Sequence, residues 1–160
     1  MTIPMSPGDA VAGTGGQTPQ SGDERARLAD LHTRLIDTLE GYAKVIEKAE
    51  PEIVAIAEEF RDLHQGQAEK IGALLTAMGH DTSDSGSILG MVNRAAVEIR
   101  SWFGDIGHNV MDAIAEGETR VIEAFEDAIV ASPSIERIAI LEQMRGEIIT
   151  LLQRHAPGQA

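Results

Sequence analysis

The residues of this 160-residue chain with the widest chemical reach are its histidines and a dense run of glutamates. The histidines are His32, His64, His80, His108 and His155, and there is no cysteine. Disulfides, thiolate metal sites and cysteine nucleophiles are thereby excluded. Imidazole and carboxylate together can bind a transition metal or move a proton, provided that they meet on one surface. The glutamates are densest in AEGETRVIEAFEDAI (115–129), where Glu116, Glu118, Glu123 and Glu126 surround Gly117. Helical spacing puts Glu118 one step from the apolar stripe, while the other three face outward. Those three gain only about 0.2–0.5 kcal/mol from neighbours such as Arg120. His64 falls on the inner face of its own helix. The structural expectation pairs Glu118 with Arg145 and gives His64 one satisfied hydrogen bond; the chemical alternative makes both of them metal ligands. Tyr42 is expected in the core, with its hydroxyl on a polar partner. No Ser-His-Asp set or paired-carboxylate site is legible from spacing.

The elements that must position these groups are helices. From residue 24, Leu28, Leu31, Leu35, Tyr42, Ile46 and Ala49 recur at helical spacing on one face. Pro51 opens a second helix, at a position where its missing N–H costs nothing. Its stripe is Ile53, Ile56, Phe60, Leu63, Gln67, Ile71, Leu74 and Met78, and Gly79 ends it. Residues 51–79 would span ~43 Å at 1.5 Å per residue, a length suited to a bundle. The polar segment HDTSDSGS precedes a shorter amphipathic helix through Ile88, Val92, Ala95, Ile99 and Trp102. Asp105 is expected to cap the next long helix, whose stripe is Val110, Ile114, Gly117, Val121, Phe125 and Ala128. Ser132-Pro133 combines a cap with a first-position proline for the last helix, with Ile135, Ile138, Leu141, Ile148 and Leu152 inward. The interior glycines Gly41, Gly66, Gly72 and Gly117 each cost about 1 kcal/mol relative to Ala, which suggests close helix approach.

No segment alternates as a strand. The expected fold is an all-α bundle of two antiparallel hairpins, over residues 23–156, after a disordered tail over 1–22 that is rich in Pro and Gly. Hydrophobic residues make up 42% and aromatics 3%, so the core must be aliphatic. With 26 acids against 13 bases, the formal charge is -13, which argues against nucleic-acid partners and anionic membrane surfaces. No apolar run reaches the roughly 18 residues of a membrane span, and the first residues have no basic or apolar leader; a cytoplasmic location is the expectation. The Ile88, Met91, Val92, Ile99 and Trp102 stripe either packs on the bundle or pairs with a second copy.

Three short stretches point to a family. Leu35-Ile36-Asp37 to Glu40-Gly41-Tyr42, Ser87-Ile88-Leu89-Gly90, and Glu116-Gly117-Glu118 with Ile122-Glu123-Ala124-Phe125 resemble a bacterial ferritin-like family. It is catalogued mainly as a domain of unknown function and linked with stress responses. The resemblance covers roughly residues 25–155 and implies a ferritin-like four-helix bundle with the shorter helix in the connection between the hairpins. The wider superfamily holds di-iron or di-manganese centres, built from inward glutamates and Glu-x-x-His pairs. This chain has no Glu-x-x-His. The resemblance places His64 and Gln67 where Glu and His would stand, Glu142-Gln-Met-Arg145 ends in an arginine that cannot ligate, and Ala43 stands where relatives carry an acid. The metal candidates are therefore His64, Glu118 and Glu142, with iron or manganese the alternative to no cofactor. The expected function is that of a non-enzymatic, stress-associated bundle acting as a homodimer or through a protein partner, without nucleic acid or stable membrane insertion. A degenerate di-metal oxidoreductase or iron-binding protein is the alternative, and a bundle cavity for a small apolar ligand is a third possibility.

Overall fold

Apolar residues at steps of three, four and seven wind their backbone into helices and turn one side of each helix inward. The computed structural model describes residues 19–80 and 110–156. Within them lie four α-helices: α1 (Pro19–Lys48), α2 (Pro51–Ala77), α3 (Val110–Ala131) and α4 (Ile135–His155). The expected tail through residue 18, the shorter helix from Ile88 to Trp102 and the Asp105 cap lie outside the described residues. α1 starts at Pro19, earlier than the expected residue 24. Its first turn has no apolar periodicity to announce it, and proline is tolerated at a first helical position.

The ends of α2 follow local chemistry. Pro51 occupies its first turn after an extended Glu50. At the other end Gly79 has φ +76°, and the amides of Gly79 and His80 bond to the carbonyls of Thr76 (3.0 Å) and Leu75 (2.9 Å). This is a Schellman closure, which leaves few carbonyls of the last turn without a donor. The start of α4 departs from expectation. Ser134, not Ser132, is its cap, accepting from the Arg137 amide at 3.3 Å. Ser132 is drawn elsewhere, as described below.

Cross-helix contacts fix the directions. Tyr42 meets Glu118, and Glu24 meets Ser132, so α1 and α3 are antiparallel. Gln67 meets Met144, and Glu59 meets Arg154, so α2 and α4 are antiparallel. With the two hairpins, α2 and α3 must then run parallel, and α2 ends at the opposite end of the bundle from the start of α3. Around the bundle the order is α1, α2, α4, α3.

The core has two layers. The larger contains Leu28, Leu31 and Leu35 of α1, Ile71 and Leu75 of α2, Val121 and Phe125 of α3, and Leu141, Met144 and Ile148 of α4. The smaller, toward the C-terminus of α1, contains Tyr42, Val45, Ala57, Phe60, Ile114 and Leu151. Each fully buried Leu or Phe contributes about 1.5–3 kcal/mol relative to exposure. One expected core residue is misplaced: Ile135 is 83% exposed, because the helix starts there and its first turn projects beyond the packed layer. Of the glycines, Gly117 is buried in α3 and Gly72 lies against His32, whose Nε2 would stand 3.3 Å from an added Cβ. At Gly41 and Gly66 an added Cβ would meet no described atom within 4 Å, so close approach does not explain them.

An ion pair locks α1 to the α3–α4 turn. Glu24, 1% exposed, accepts from Ser132 Oγ (2.5 Å), Arg137 Nε (2.6 Å) and an Arg137 terminal nitrogen (2.9 Å). Burial alone would raise this carboxyl; the hydrogen bonds from Arg137 and Ser132 and the Arg137 charge outweigh it and hold the group below the usual carboxylate range.

Two predictions follow from the backbone and from this lock. Gly66→Ala and Gly146→Ala, both helical with open space, should each raise stability by about 0.5–1 kcal/mol. Gly79→Ala should lower it by about 1–2 kcal/mol, because of the positive φ. Urea denaturation of the three variants checks both signs. Because the folded Glu24 value lies below the unfolded one, its contribution is present above the ordinary carboxylate range and is lost as pH falls through the folded value. Glu24→Gln should therefore cost about 1.5–3 kcal/mol at pH 7 and much less in acid, read as the difference in Tm from wild type across pH.

Candidate functional site

Between the two apolar layers, all four helices contribute to a buried polar cluster. Tyr42 comes from α1, His64 and Gln67 from α2, Glu118 from α3, and the Met144 carbonyl from α4. His64 and Glu118 are fully inaccessible, Gln67 is 1% exposed and Tyr42 5%. The helical period explains the inward set: His64 and Gln67 are three apart on one face of α2, and Glu118 adjoins Gly117 on the inner side of α3.

The Tyr42 hydroxyl donates to Glu118 Oε1 in a short hydrogen bond. His64 Nε2 lies 2.9 Å from both Glu118 oxygens. His64 Nδ1 lies 3.2 Å from Gln67 Oε1, and Gln67 Nε2 donates to the Met144 carbonyl at 2.9 Å. Phe60 and the Tyr42 ring are stacked, with centroids 5.7 Å apart and planes within 3°. The Tyr42 and His64 rings are 6.0 Å apart. Burial, then the Glu118 charge and the bond to it, push the phenol of Tyr42 far above its usual range. Among the described residues, no buried side-chain nitrogen or oxygen is left without a hydrogen-bond partner.

The sequence candidates are thus divided. His64 and Glu118 come together, and Tyr42 finds the polar partner expected for its hydroxyl. Glu142 is exposed on α4 and does not enter the cluster. Arg145 pairs with Glu126 at 3.6 Å rather than with Glu118, whose depth lies beyond the half-exposed outer rows of α3 and α4. Arg120 pairs with Glu116 at 2.6 Å, as the helical spacing predicted. Burial and the His80 charge lower His32 at the far end of α1 and α2, and His155 contacts Glu59 at 3.3 Å. His108 lies outside the described residues. What sequence reasoning missed is the partner choice, above all the tie from Gln67 to a backbone carbonyl. The available signal was an inward Tyr, His, Gln and Glu at one level of three helices.

These residues do not fit an ion of the superfamily's kind. The donors that meet are one imidazole and one carboxylate, already bonded to each other, to Gln67 and to Tyr42, where the superfamily's centres take several carboxylates and two imidazoles. Among the described residues, no three His, Asp or Glu side chains gather as a metal would require. The arrangement sets an acid and a base in hydrogen-bond contact, away from water.

Removing the Tyr42 hydroxyl takes one donor from a buried carboxylate. Tyr42→Phe should cost about 1–3 kcal/mol in chemical denaturation. Tyr42 is the sole tyrosine, so ultraviolet titration reports it alone. Tyrosinate absorbance should be absent near the ordinary value of about 10 and appear only as the protein unfolds in alkali.

The comparisons with known proteins add one finding. The model of a family described as a domain of unknown function (DUF2383) matches residues 23–131, from the first turns of α1 to the end of α3. Neither the curated proteins nor the solved structures gave a match.

Proposed function

The chain belongs to the DUF2383 family, and from that premise we propose that it is a non-enzymatic bundle of ferritin-like organisation that acts by associating with a second copy of itself. The observation that supports this reading is the closure of the polar cluster. His64, Glu118, Gln67 and Tyr42 satisfy one another at almost zero accessibility, so this acid–base pair is closed to a substrate. Ferritin-like organisation is supported by the parallel course of α2 and α3 between two antiparallel hairpins, the arrangement of bundles with one long crossover. The stress association and the cytoplasmic location are proposed on the resemblance and the composition alone. Among the described residues, no helix is long and apolar enough to cross a membrane.

Association is assigned to the α3–α4 hairpin. Val130 is 87% exposed and Ile135 83%, on either side of the turn, and Ile140 is 41% exposed beside an apolar groove between α2 and α4. That groove, of about 450 Å³, is lined by Ala73, Leu74, Ile140 and Met144, with Lys70 and Gln143 at its edges. Exposed apolar surface of this kind marks association sites when it is contiguous.

The competing reading, iron or manganese chemistry, has in its favour that His64 and Glu118 meet. The want, among the described residues, of a third His, Asp or Glu beside them and the exposed position of Glu142 weigh against it.

Light scattering over a concentration series tests the proposal. The expected result is a dimer that Val130→Glu and Ile135→Glu dissociate. A wild-type monomer at all concentrations would sink self-association. Stoichiometric iron or manganese after purification without chelator, lost in His64→Ala, would favour the metal reading instead.

A further inference from the structure

The two faces along which the hairpins meet are of opposite character. In the order α1, α2, α4, α3, the hairpins adjoin along α1–α3 on one side and along α2–α4 on the other. The α1–α3 side carries a groove lined by Arg27, Asp30, Arg34, Asp37, Glu123 and Asp127. The α2–α4 groove is floored instead by Ala73, Leu74, Ile140 and Met144. Ile140 is 41% exposed there, and apolar surface gathered in a groove marks a docking site.

One stretch of this chain has to pass along the outside of the bundle. α2 ends at Ala77 and α3 begins at Val110, and these points lie at opposite ends of the bundle. α2 is 27 residues long, or ~40 Å at 1.5 Å per residue. Residues 81–109, which lie outside the described residues, make the return. In them Ile88, Val92, Ala95, Ile99 and Trp102 recur at helical spacing, while Arg94 and Arg100 fall off that stripe. As a helix, residues 88–102 would span ~21 Å. The flanks 81–87 and 103–109 would add up to ~46 Å when extended. The length therefore suffices for a run along one face of the bundle. Laid on the α1–α3 groove, an apolar stripe would strip water from carboxylates and guanidinium groups and offer them no partner. Laid on the α2–α4 groove, it would bury apolar surface on both sides.

We propose that the α2–α4 groove is the docking site of this chain's own residues 88–102, seated through the stripe from Ile88 to Trp102. The connection then runs outside α4 rather than outside α1. The groove lies over the last turns of α2, close to the point at which Gly79, with φ +76°, turns the chain out of the helix. Ile88 and Val92 come first after that turn and meet Leu74 and Ile140; Ile99 and Trp102 follow toward the start of α2. Val130 and Ile135 flank the α3–α4 turn outside this lining, so they stay open to a second copy. The docking does not rest on that association, and a monomer satisfies it equally.

Two measurements on the full chain test this. The chain has no cysteine, so engineered pairs form defined disulfides. With Ile140→Cys as the fixed partner, Ile88→Cys or Val92→Cys should close a disulfide within one chain under mild oxidation. In dilute protein this should be at least about tenfold faster than closure from Arg94→Cys, because only a seated pair has a high effective concentration. It should exceed by as much the closure of the same partners on Thr33→Cys, in the α1–α3 groove. Faster closure on Thr33→Cys, an equal rate from Arg94→Cys, or disulfides that join two chains overturn the proposal; the last outcome would put a second copy in the groove. Trp102 is the sole tryptophan and reports seating without a disulfide. Its emission should lie to the blue of that of the urea-unfolded chain, and should move toward it in Ile140→Glu but not in Thr33→Glu. Wild-type emission at the unfolded position, or no change in Ile140→Glu, also overturns the proposal. Should Ile140→Glu fail to fold, the disulfide rates still decide.

Discussion

A carboxylate with no access to water sets the terms for the interior of this bundle. Glu118 is fully buried, and an ionised group there is tolerable only if donors replace the water that it has lost. One donor comes from α1, through Tyr42, and one from α2, through His64. The histidine is in turn oriented by Gln67, which is held by the backbone of α4. A single acid thus imposes a common level on four helices. Apolar contacts alone would not, because a stripe of Leu, Ile and Ala packs nearly as well after a shift of one turn. A buried polar network of this kind is costly when any member is missing, and so selects one alignment over its neighbours.

The second buried acid follows a different rule. Glu24 is met by a guanidinium that is itself 31% exposed, so that its charge is balanced and partly hydrated. Glu118 has no guanidinium beside it and relies on the imidazole of His64 and the phenol of Tyr42. The bundle is therefore tied by an ion pair near one end and by a buried hydrogen-bonded network between its two apolar layers. Both ties join residues that are far apart in the chain, and both involve a helix that is not a sequence neighbour.

How much of this could be read from the sequence depends on how local the cause was. Pro51 and Gly79 mark α2 correctly, because a missing N–H and a positive φ are properties of single residues. The inward stripes were also legible: Leu28, Leu31, Leu35, Phe60, Ile71, Val121, Phe125 and Leu141 all lie in the core where the period put them. The all-helical architecture and its hairpins followed from that. The cap of α4 was misread, since Ser132 has the right type for a cap but is taken by Glu24, 108 residues away. Glu118 was placed near the inner face, yet its partner was not legible. Depth decides between Tyr42 and Arg145, and depth depends on how far each helix is rotated against the others. Ile135 belongs to the right period but lies past the end of the layer that it would have joined.

The parallel course of α2 and α3 also bears on how the chain reaches its fold. The α1–α2 and α3–α4 hairpins are closed by turns of two or three residues and incur little loop entropy. The contacts that join the hairpins close far longer loops: 54 residues separate His64 from Glu118, 76 separate Tyr42 from Glu118, and 113 separate Glu24 from Arg137. Assembly thus divides into an early local stage, in which each hairpin zips on its own, and a late non-local stage. The buried polar cluster belongs to the late stage, since none of its joins to Glu118 exists within a single hairpin. Damage to it should show mainly as faster unfolding, with the rate of folding little changed. The polar residues at the centre of the bundle would then govern how long the folded state lasts more than how soon it forms.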